Sequence, residues 1–136
     1  TLVDDLWKFD GSDWKQLRDI ANNDSDEDYD DDYAITRAGT VSFVIDGRGY
    51  IATGTRSGVT SDYWVYDPEE DLWYGDSDDD YTPMTNVHNV SSGGSSRSYA
   101  VSFSTGKRGF VLSGSSGTSY FDDVYELLPY EQEDVD

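Results

Sequence analysis

The chain repeats itself at a fixed offset of 60 residues, and this repeat constrains its fold more than any other feature. Seven residues within 18 positions recur unchanged at that offset. They are Arg37, Val41, Ser42, Phe43, Arg48, Gly49 and Gly54, with counterparts Arg97, Val101, Ser102, Phe103, Arg108, Gly109 and Gly114. The segment 62–67 also has similar copies at 5–10 and 123–127. Such self-similarity indicates one structural unit used several times.

Each repeat predicts four short antiparallel strands. Val41, Phe43 and Ile45 alternate with other residues, the pattern of a strand with one buried face. Asp46-Gly47 then predicts a tight hairpin turn. Three further strands are predicted over 49–54, 62–66 and 72–74. Many Asp, Gly and Ser residues with 15% aromatics also favour short strands joined by polar turns, which is typical of an all-β fold. Because the four-stranded unit is repeated, we predict an all-β fold of β-propeller type.

These segments resemble kelch repeats. The hydrophobic first strand, the second strand ending at Gly54, the Asp-aromatic-Trp-x-aromatic-Asp-Pro motif over 62–68, and Trp73 follow the kelch pattern. The sequence is most similar to kelch-type propellers of bacterial cell-envelope proteins, the galactose-oxidase-like group. One departure is the Gly-Gly doublet of that pattern, which is Thr53-Gly54 in one copy and Ser113-Gly114 in the next.

The resemblance implies a single propeller domain that is incomplete in this chain. Residues 1–20 would end one blade, 37–75 would form a complete blade, and 97–131 would form most of a third. The inter-blade insertions would be 21–36 and 76–96. That makes about two and a half four-stranded blades, whereas propellers close with about 4 to 8. We therefore expect other blades of a larger chain, or self-association, to close the propeller.

Charge and composition exclude several kinds of site. Nine Lys and Arg against 29 Asp and Glu give a net charge of −20, which disfavours nucleic acid as a partner. No apolar run approaches the ~20 residues of a transmembrane span. The resemblance to galactose-oxidase-like proteins raises the question of a copper site, which in galactose oxidase uses a Tyr crosslinked to Cys, a second Tyr and two His. This chain has no Cys and a single His, so we expect no copper site of that kind.

Two aspartate tracts are candidate calcium sites. Residues 24–32 carry seven acids in nine positions, and 76–80 carry four in five. Alternate carboxylates are oxygen ligands of the kind that Ca²⁺ prefers. The candidate ligands are Asp24, Asp26, Asp28, Asp30, Asp76, Asp78 and Asp80. The first tract is not an EF-hand, because its sixth and twelfth positions hold Tyr29 and Ile35. The alternative is a solvated, self-repelling loop.

The strand order predicts where a ligand would bind. In a four-stranded antiparallel blade, the loop between the second and third strands emerges on the same side as the connection to the next blade. Residues 24–32, 55–61, 76–80 and 115–121 should therefore share one acidic, loop-rich rim. The tyrosines near this rim that could stack on a sugar ring are Tyr29, Tyr33, Tyr81 and Tyr120. Arg37 and Arg97, which open equivalent strands, are expected to tie neighbouring blades together.

The function that these features favour is a non-catalytic binding or interaction module of an extracytoplasmic bacterial protein, in the periplasm or on the cell surface. Its ligand would be a protein or a carbohydrate. The alternative is an envelope enzyme acting on carbohydrate, with its active site on the rim or in missing blades. Two close carboxylates in a pocket, one with a raised pKa, would favour the enzyme.

Overall fold

The computed structural model describes residues 1–20, 35–75 and 96–127, together with the backbone of 87–89. Every regular element in these ranges is a β-strand, which confirms the all-β prediction for them. The strands form antiparallel sheets of two to four strands. The chain divides into two compact units, Thr1–Arg37 and Ala38–Asp136. No helix in the described part is long and apolar enough to cross a membrane.

The first unit contains one β-hairpin. Strands β1 (Trp7–Phe9) and β2 (Trp14–Gln16) pair antiparallel. Asp10 closes the turn, because its Oδ1 accepts hydrogen bonds from two following backbone N–H groups at 2.8 and 2.9 Å. The rings of Phe9 and Trp14 stack across the hairpin with their centroids 4.9 Å apart.

In the second unit, four strands in sequential order form the first four-stranded sheet, sheet I. They are β3 (Val41–Ile45), β4 (Arg48–Thr55), β5 (Val59–Asp67) and β6 (Leu72–Gly75). The turn between β3 and β4 has positive φ at Asp46 (48°) and Gly47 (79°). Positive φ at both central residues matches the twist of a two-residue hairpin, as Asp-Gly predicts.

Sheet II has the order β7-β10-β9-β8. Its strands are β7 (Val87–Asn89), β8 (Val101–Ser104), β9 (Gly109–Leu112) and β10 (Val124–Leu127). The outer strand β7 precedes the rest of the sheet in the chain. It lies in the segment 76–96, which the sequence analysis predicts to be an inter-blade insertion. The end of the predicted third blade, residues 128–131, lies outside the described residues.

The two four-stranded sheets meet along one edge strand of each, β3 of sheet I and β8 of sheet II. Strands β3 and β8 lie side by side, with a parallel bridge between Ile45 and Gly106. The hydroxyl groups of Ser102 and Ser104 donate to the backbone carbonyls of residues 42 and 44, at 2.9 and 2.5 Å. Each hydroxyl thus reaches the main chain of a residue exactly one repeat away, so the sequence repeat sets the register between sheets.

Each sheet has a front face, which carries residues 41 and 43 in sheet I or 101 and 103 in sheet II, and an opposite back face. The front face of sheet I packs against the back face of sheet II, because their side chains form one apolar core. The core residues are Val41, Phe43, Ile45, Tyr50, Ala52, Tyr63, Val65, Val111, Tyr125 and Leu127.

The closest part of this packing is the contact of Phe43 with Gly109. A Cβ atom at position 109 would lie only 2.3 Å from Cε2 of Phe43, so glycine is the residue that admits the ring. Phe43 is 7% exposed and stacks on Tyr50, with centroids 5.6 Å apart. The ring therefore has neighbours on both sides and little room to move.

We expect Gly109→Ala to lower the free energy of unfolding by about 1–3 kcal/mol, because the new methyl group must displace Phe43 or its strand. Gly49→Ala is the matched control. It stands at the equivalent position of the repeat, and its Cβ would meet only the Cβ of Tyr66, at an ordinary 3.7 Å. Urea unfolding at low protein concentration measures both variants. Equal midpoints for the two would contradict the packing described above.

Candidate functional site

The candidate site is the end of the second unit at which β4 joins β5 and β9 joins β10. This loop end comprises residues 38–40, 53–60, 96–100 and 113–123. The predicted loop 55–61 is shorter in the structure, because β4 ends at Thr55 and β5 begins at Val59. Its remaining residues, 56–58, lie at the same end of the two sheets as 115–121. The candidate calcium ligands Asp24, Asp26, Asp28, Asp30, Asp76, Asp78 and Asp80 lie outside the described residues, as do Tyr29, Tyr33 and Tyr81.

The segment before β8 joins the loops of both sheets through its backbone. The N–H of Arg97 donates to the carbonyl of Thr60 (3.1 Å), and the carbonyl of Arg97 accepts from the N–H of Gly54 (2.7 Å). One residue later, Ser98 and Ser115 exchange both backbone hydrogen bonds at 2.9 Å. The loop end is therefore a hydrogen-bonded frame shared by the two sheets, the rigid support that a binding surface requires.

The second strand of each sheet ends in a left-handed step of two residues. The φ angles are 61° and 106° at Thr53 and Gly54, and 60° and 92° at Ser113 and Gly114. A Cβ on either glycine would lie 2.8–2.9 Å from a backbone carbonyl oxygen. Both positions of the step thus favour glycine. A left-handed conformation costs a residue such as Thr53 about 1–2 kcal/mol.

A buried ion pair between Arg97 and Asp123 stabilises the loop end. Arg97 is only 1% exposed, and its two terminal nitrogens donate to the two oxygens of Asp123 at 2.5 and 2.9 Å. It also donates to the carbonyl of Ser113 at 2.8 Å. Its guanidinium lies between the rings of Phe121 and Tyr125, 4.5 and 4.3 Å from their centroids. This arginine therefore positions the 113–123 loop.

The ion pair shifts the pKa of both partners. The hydrogen bond from Arg97 is the main reason that the pKa of Asp123 lies below its ordinary value. Burial is the largest influence on the pKa of Arg97 and lowers it, but the hydrogen bond to Asp123, the charge of Asp123 and the contact with Tyr125 together raise it, and the net shift is upward. Asp67 has a lowered pKa for similar reasons: burial raises it, but hydrogen bonds from the backbone of Glu69 and from Arg48 lower it further.

Two tyrosines project from this frame into solvent. Tyr120 is 92% exposed and Tyr99 is 78% exposed. Tyr99 has a φ of 55°, while its equivalent in sheet I, Gly39, has a φ of 63°. The Tyr99 N–H donates to the Gly39 carbonyl (2.9 Å), and the Tyr99 ring lies 3.2 Å from where a Cβ of Gly39 would be. The segment that leads into β8 thus holds an exposed tyrosine in the left-handed conformation that a glycine adopts in the segment leading into β3.

Sequence reasoning identifies Tyr120 but not Tyr99. The signal for Tyr99 is present in the repeat, because a glycine in one copy aligns with a tyrosine in the other. A difference between copies at a glycine position is easily overlooked, since only a backbone angle reveals that the glycine conformation is retained. Sequence reasoning also singles out Arg97, but its side chain bonds within its own sheet, while its backbone makes the tie between sheets.

Within the described ranges, no group of three or more His, Cys, Asp or Glu side chains is placed to hold a metal ion. The carboxylates there with shifted pKa values are Asp10, Asp67 and Asp123, and all three are shifted downward. A general acid in glycoside hydrolysis requires an upward shift. What this surface offers is exposed aromatic rings, hydroxyl groups and backbone polar groups on a fixed frame.

We expect Asp123→Asn to lower the free energy of unfolding at neutral pH by about 3 kcal/mol, because it leaves a buried guanidinium without a counter-charge. Since folding lowers the pKa of Asp123, the pair stabilises the native chain above the unfolded pKa of about 3.9. That contribution is lost as the pH falls through the lower native pKa. The variant should therefore lose less stability than the wild type between about pH 5 and pH 2.

Chemical denaturation at a series of pH values measures this difference. Asp122→Asn is the control, because it removes one negative charge from an exposed neighbour. Parallel pH profiles for wild type and Asp123→Asn would show that the ion pair does not stabilise the fold.

No protein-family model matches the chain, and no curated protein matches it. The kelch resemblance therefore rests on the repeated residues themselves, and the geometry of the loop end is the basis for a functional assignment.

Proposed function

We propose that the chain is a non-catalytic binding module, built from kelch-like propeller blades, that holds a partner protein with a basic surface at its loop end. The observation that carries this proposal is Tyr99, an exposed tyrosine in the left-handed conformation that glycine adopts in the equivalent position. The resemblance to cell-envelope kelch proteins supports an extracytoplasmic location. Calcium in the aspartate tracts stays a prediction within this proposal.

The arrangement of the sheets supports the propeller interpretation. Successive blades of a propeller are four-stranded antiparallel sheets arranged radially, so their innermost strands run side by side in the same direction. Strands β3 and β8 have this relation, and each is an edge strand of its sheet. The offset between them is one repeat, as the serine–carbonyl hydrogen bonds indicate.

The loop end supports protein recognition. A bulky residue in a strained conformation persists only where the surrounding structure holds it, and such residues cluster at functional sites. The loop 115–120 consists of Ser, Gly, Thr and Tyr, the composition of antibody binding loops, in which tyrosine supplies rigid contact area and serine and glycine supply adaptable hydrogen bonding. The net charge of −20 would steer a basic partner toward the module.

The enzyme alternative has less support. Its general acid would be a carboxylate with a raised pKa. Burial raises the pKa of Asp67, but hydrogen bonds from the Glu69 backbone and from Arg48 bring it below its ordinary value. The hydrogen bond from Arg97 does the same for the pKa of Asp123. A binding module needs only the exposed groups that the loop end presents.

The proposal predicts that Tyr99→Gly separates stability from binding. The substitution relieves the left-handed strain, which costs about 1–2 kcal/mol, and adds the glycine entropy cost of about 0.5–1 kcal/mol. We therefore expect a free energy of unfolding equal to that of the wild type or up to about 1.5 kcal/mol higher. Urea unfolding measures this. A clear loss of stability would mean that the ring serves the fold instead.

The binding experiment compares the wild type with a Tyr99→Gly/Tyr120→Ser double variant on a panel of immobilised basic proteins at about 0.15 M salt. We expect at least one saturable interaction that the double variant loses and that Phe9→Ser retains, since Phe9 is an exposed aromatic of the N-terminal hairpin. Equal binding by the wild type, the double variant and Phe9→Ser would indicate charge attraction alone and would contradict the proposal.

A glycan panel run in parallel distinguishes the alternatives. Saturable binding to a carbohydrate alone would reject the protein partner. Release of free sugar from any glycan would support the enzyme and reject the non-catalytic role.

A further inference from the structure

The loop end has a charge balance unlike that of the chain as a whole. Its residues include two arginines and two aspartates, whereas the chain has more than three Asp and Glu for every Lys and Arg. Arg97 and Asp123 form the buried ion pair described above. The other two charged side chains, Arg56 and Asp122, are exposed. The proposed binding surface is therefore close to neutral, within a chain whose net charge is −20.

Arg56 makes no ion pair with any carboxylate of the described residues. Four other cations in these ranges each pair with an acidic side chain: Arg48, Arg97, Lys107 and Arg108. Arg56 is exposed at the tip of the β4–β5 loop, between the end of β4 at Thr55 and the start of β5 at Val59. Its guanidinium is thus available to a ligand at the loop end.

Backbone hydrogen bonds place Arg56 near Tyr99. Thr55, the residue before Arg56, exchanges both backbone hydrogen bonds with Ala38 at 2.9 and 2.7 Å. Gly39 follows Ala38, and its carbonyl accepts from the N–H of Tyr99 at 2.9 Å. One stretch of backbone thus separates Arg56 from Tyr99, as a strand separates its two neighbours, which makes the backbone distance between them roughly 10 Å. A single partner surface can contact both side chains.

The repeat indicates that the loop does not need an arginine to close. The residue at the equivalent position after β9 is Ser116, and the same left-handed step precedes it. In each loop the backbone N–H of this residue donates to a carbonyl two or three residues later, at 3.1 Å for Arg56 and 2.9 Å for Ser116. Because serine closes the loop equally well, the arginine side chain contributes something other than loop closure.

The group that this arginine fits best is a carboxylate. A guanidinium is planar, and its N–H groups match the two oxygens of a carboxylate with high geometric specificity. A phosphate would fit the same N–H groups, but the net charge of −20 repels a dianion more strongly. A carboxylate within a basic protein surface avoids this repulsion, because the cations around it are attracted to the chain. Arginine and tyrosine are also among the residues that dominate binding energy at protein interfaces.

We propose that Arg56 is a specificity-determining residue of the loop end, which binds a carboxylate within the partner's basic surface while Tyr99 packs beside that contact. This inference rests on the proposed function. The net charge of the chain attracts any basic protein, whereas Arg56 repels a surface that places a cation opposite it. A basic surface with a correctly placed acid therefore binds more tightly than one without it.

Arg56→Ser tests the proposal on the panel protein that the wild type binds through its tyrosines, by biolayer interferometry at about 0.15 M salt. Lys15→Ser is the matched control, because it removes one exposed cation from the N-terminal hairpin and changes the net charge equally. Both variants are more negative than the wild type, so charge attraction alone predicts equal or tighter binding. We expect Lys15→Ser to follow that prediction and Arg56→Ser to bind about five- to fiftyfold more weakly.

Chemical amidation of the immobilised protein tests the partner's side of the contact. Coupling its carboxyl groups to ethanolamine with a carbodiimide replaces each carboxylate by a neutral amide and makes the protein more basic. The wild type should then bind more weakly despite the added positive charge, whereas Arg56→Ser should bind as well as before or better.

Three results would overturn the proposal. Equal affinities of Arg56→Ser and Lys15→Ser would show that the guanidinium does not contact the partner. Amidation that strengthens wild-type binding would show that no carboxylate of the partner is recognised. A loss of stability of Arg56→Ser in urea unfolding would indicate that Arg56 pairs with a carboxylate of its own chain. Failure of the proposed function is distinct, because wild-type binding would then be absent or insensitive to the tyrosine double variant, and both proposals would be rejected.

Discussion

The fit of Phe43 over Gly109 sets how closely the two four-stranded sheets approach, and much else depends on that distance. It brings strand β8 within hydrogen-bonding reach of β3, so that the hydroxyls of Ser102 and Ser104 can bond to the carbonyls of that strand. It also allows one apolar core to form from both sheets. Residues that are 60 positions apart in the sequence thus lie at equivalent positions of two neighbouring sheets and bond to each other.

The same spacing organises the loop end. Because the edge strands β3 and β8 lie in register, the segment leading into β8 passes between the β4–β5 and β9–β10 loops and bonds to both. Arg97 then fixes the second loop through Asp123, while the left-handed step at Ser113-Gly114 turns the chain into it. Tyr99 and Tyr120 are presented by this frame. The rigidity of the proposed binding surface therefore comes from the packing of the sheets beneath it.

The sequence predicts sheet I well, because Val41, Phe43 and Ile45 alternate cleanly and Asp46-Gly47 is a strong turn signal. It does not predict β7, whose residues Val87–Asn89 show no alternation and whose partner strand is about 40 residues away. Arg97 is visible as a repeated residue, but Asp123 as its partner is not, since an acidic chain offers many carboxylates. Tyr99 requires a backbone angle, which residue identity alone does not supply.

The origin of β7 has a consequence for how the chain folds. In sheet I each strand pairs with its neighbour in sequence, so every step closes a short loop. In sheet II, β10 must find Val87–Asn89 across the whole of β8 and β9. Closing a longer loop costs more chain entropy before any contact stabilises it, and pairings of high sequence separation form late. We therefore expect sheet I to form first and its front face to be the surface on which the three local strands of sheet II assemble. Strand β7 would then be added last, along the edge strand β10.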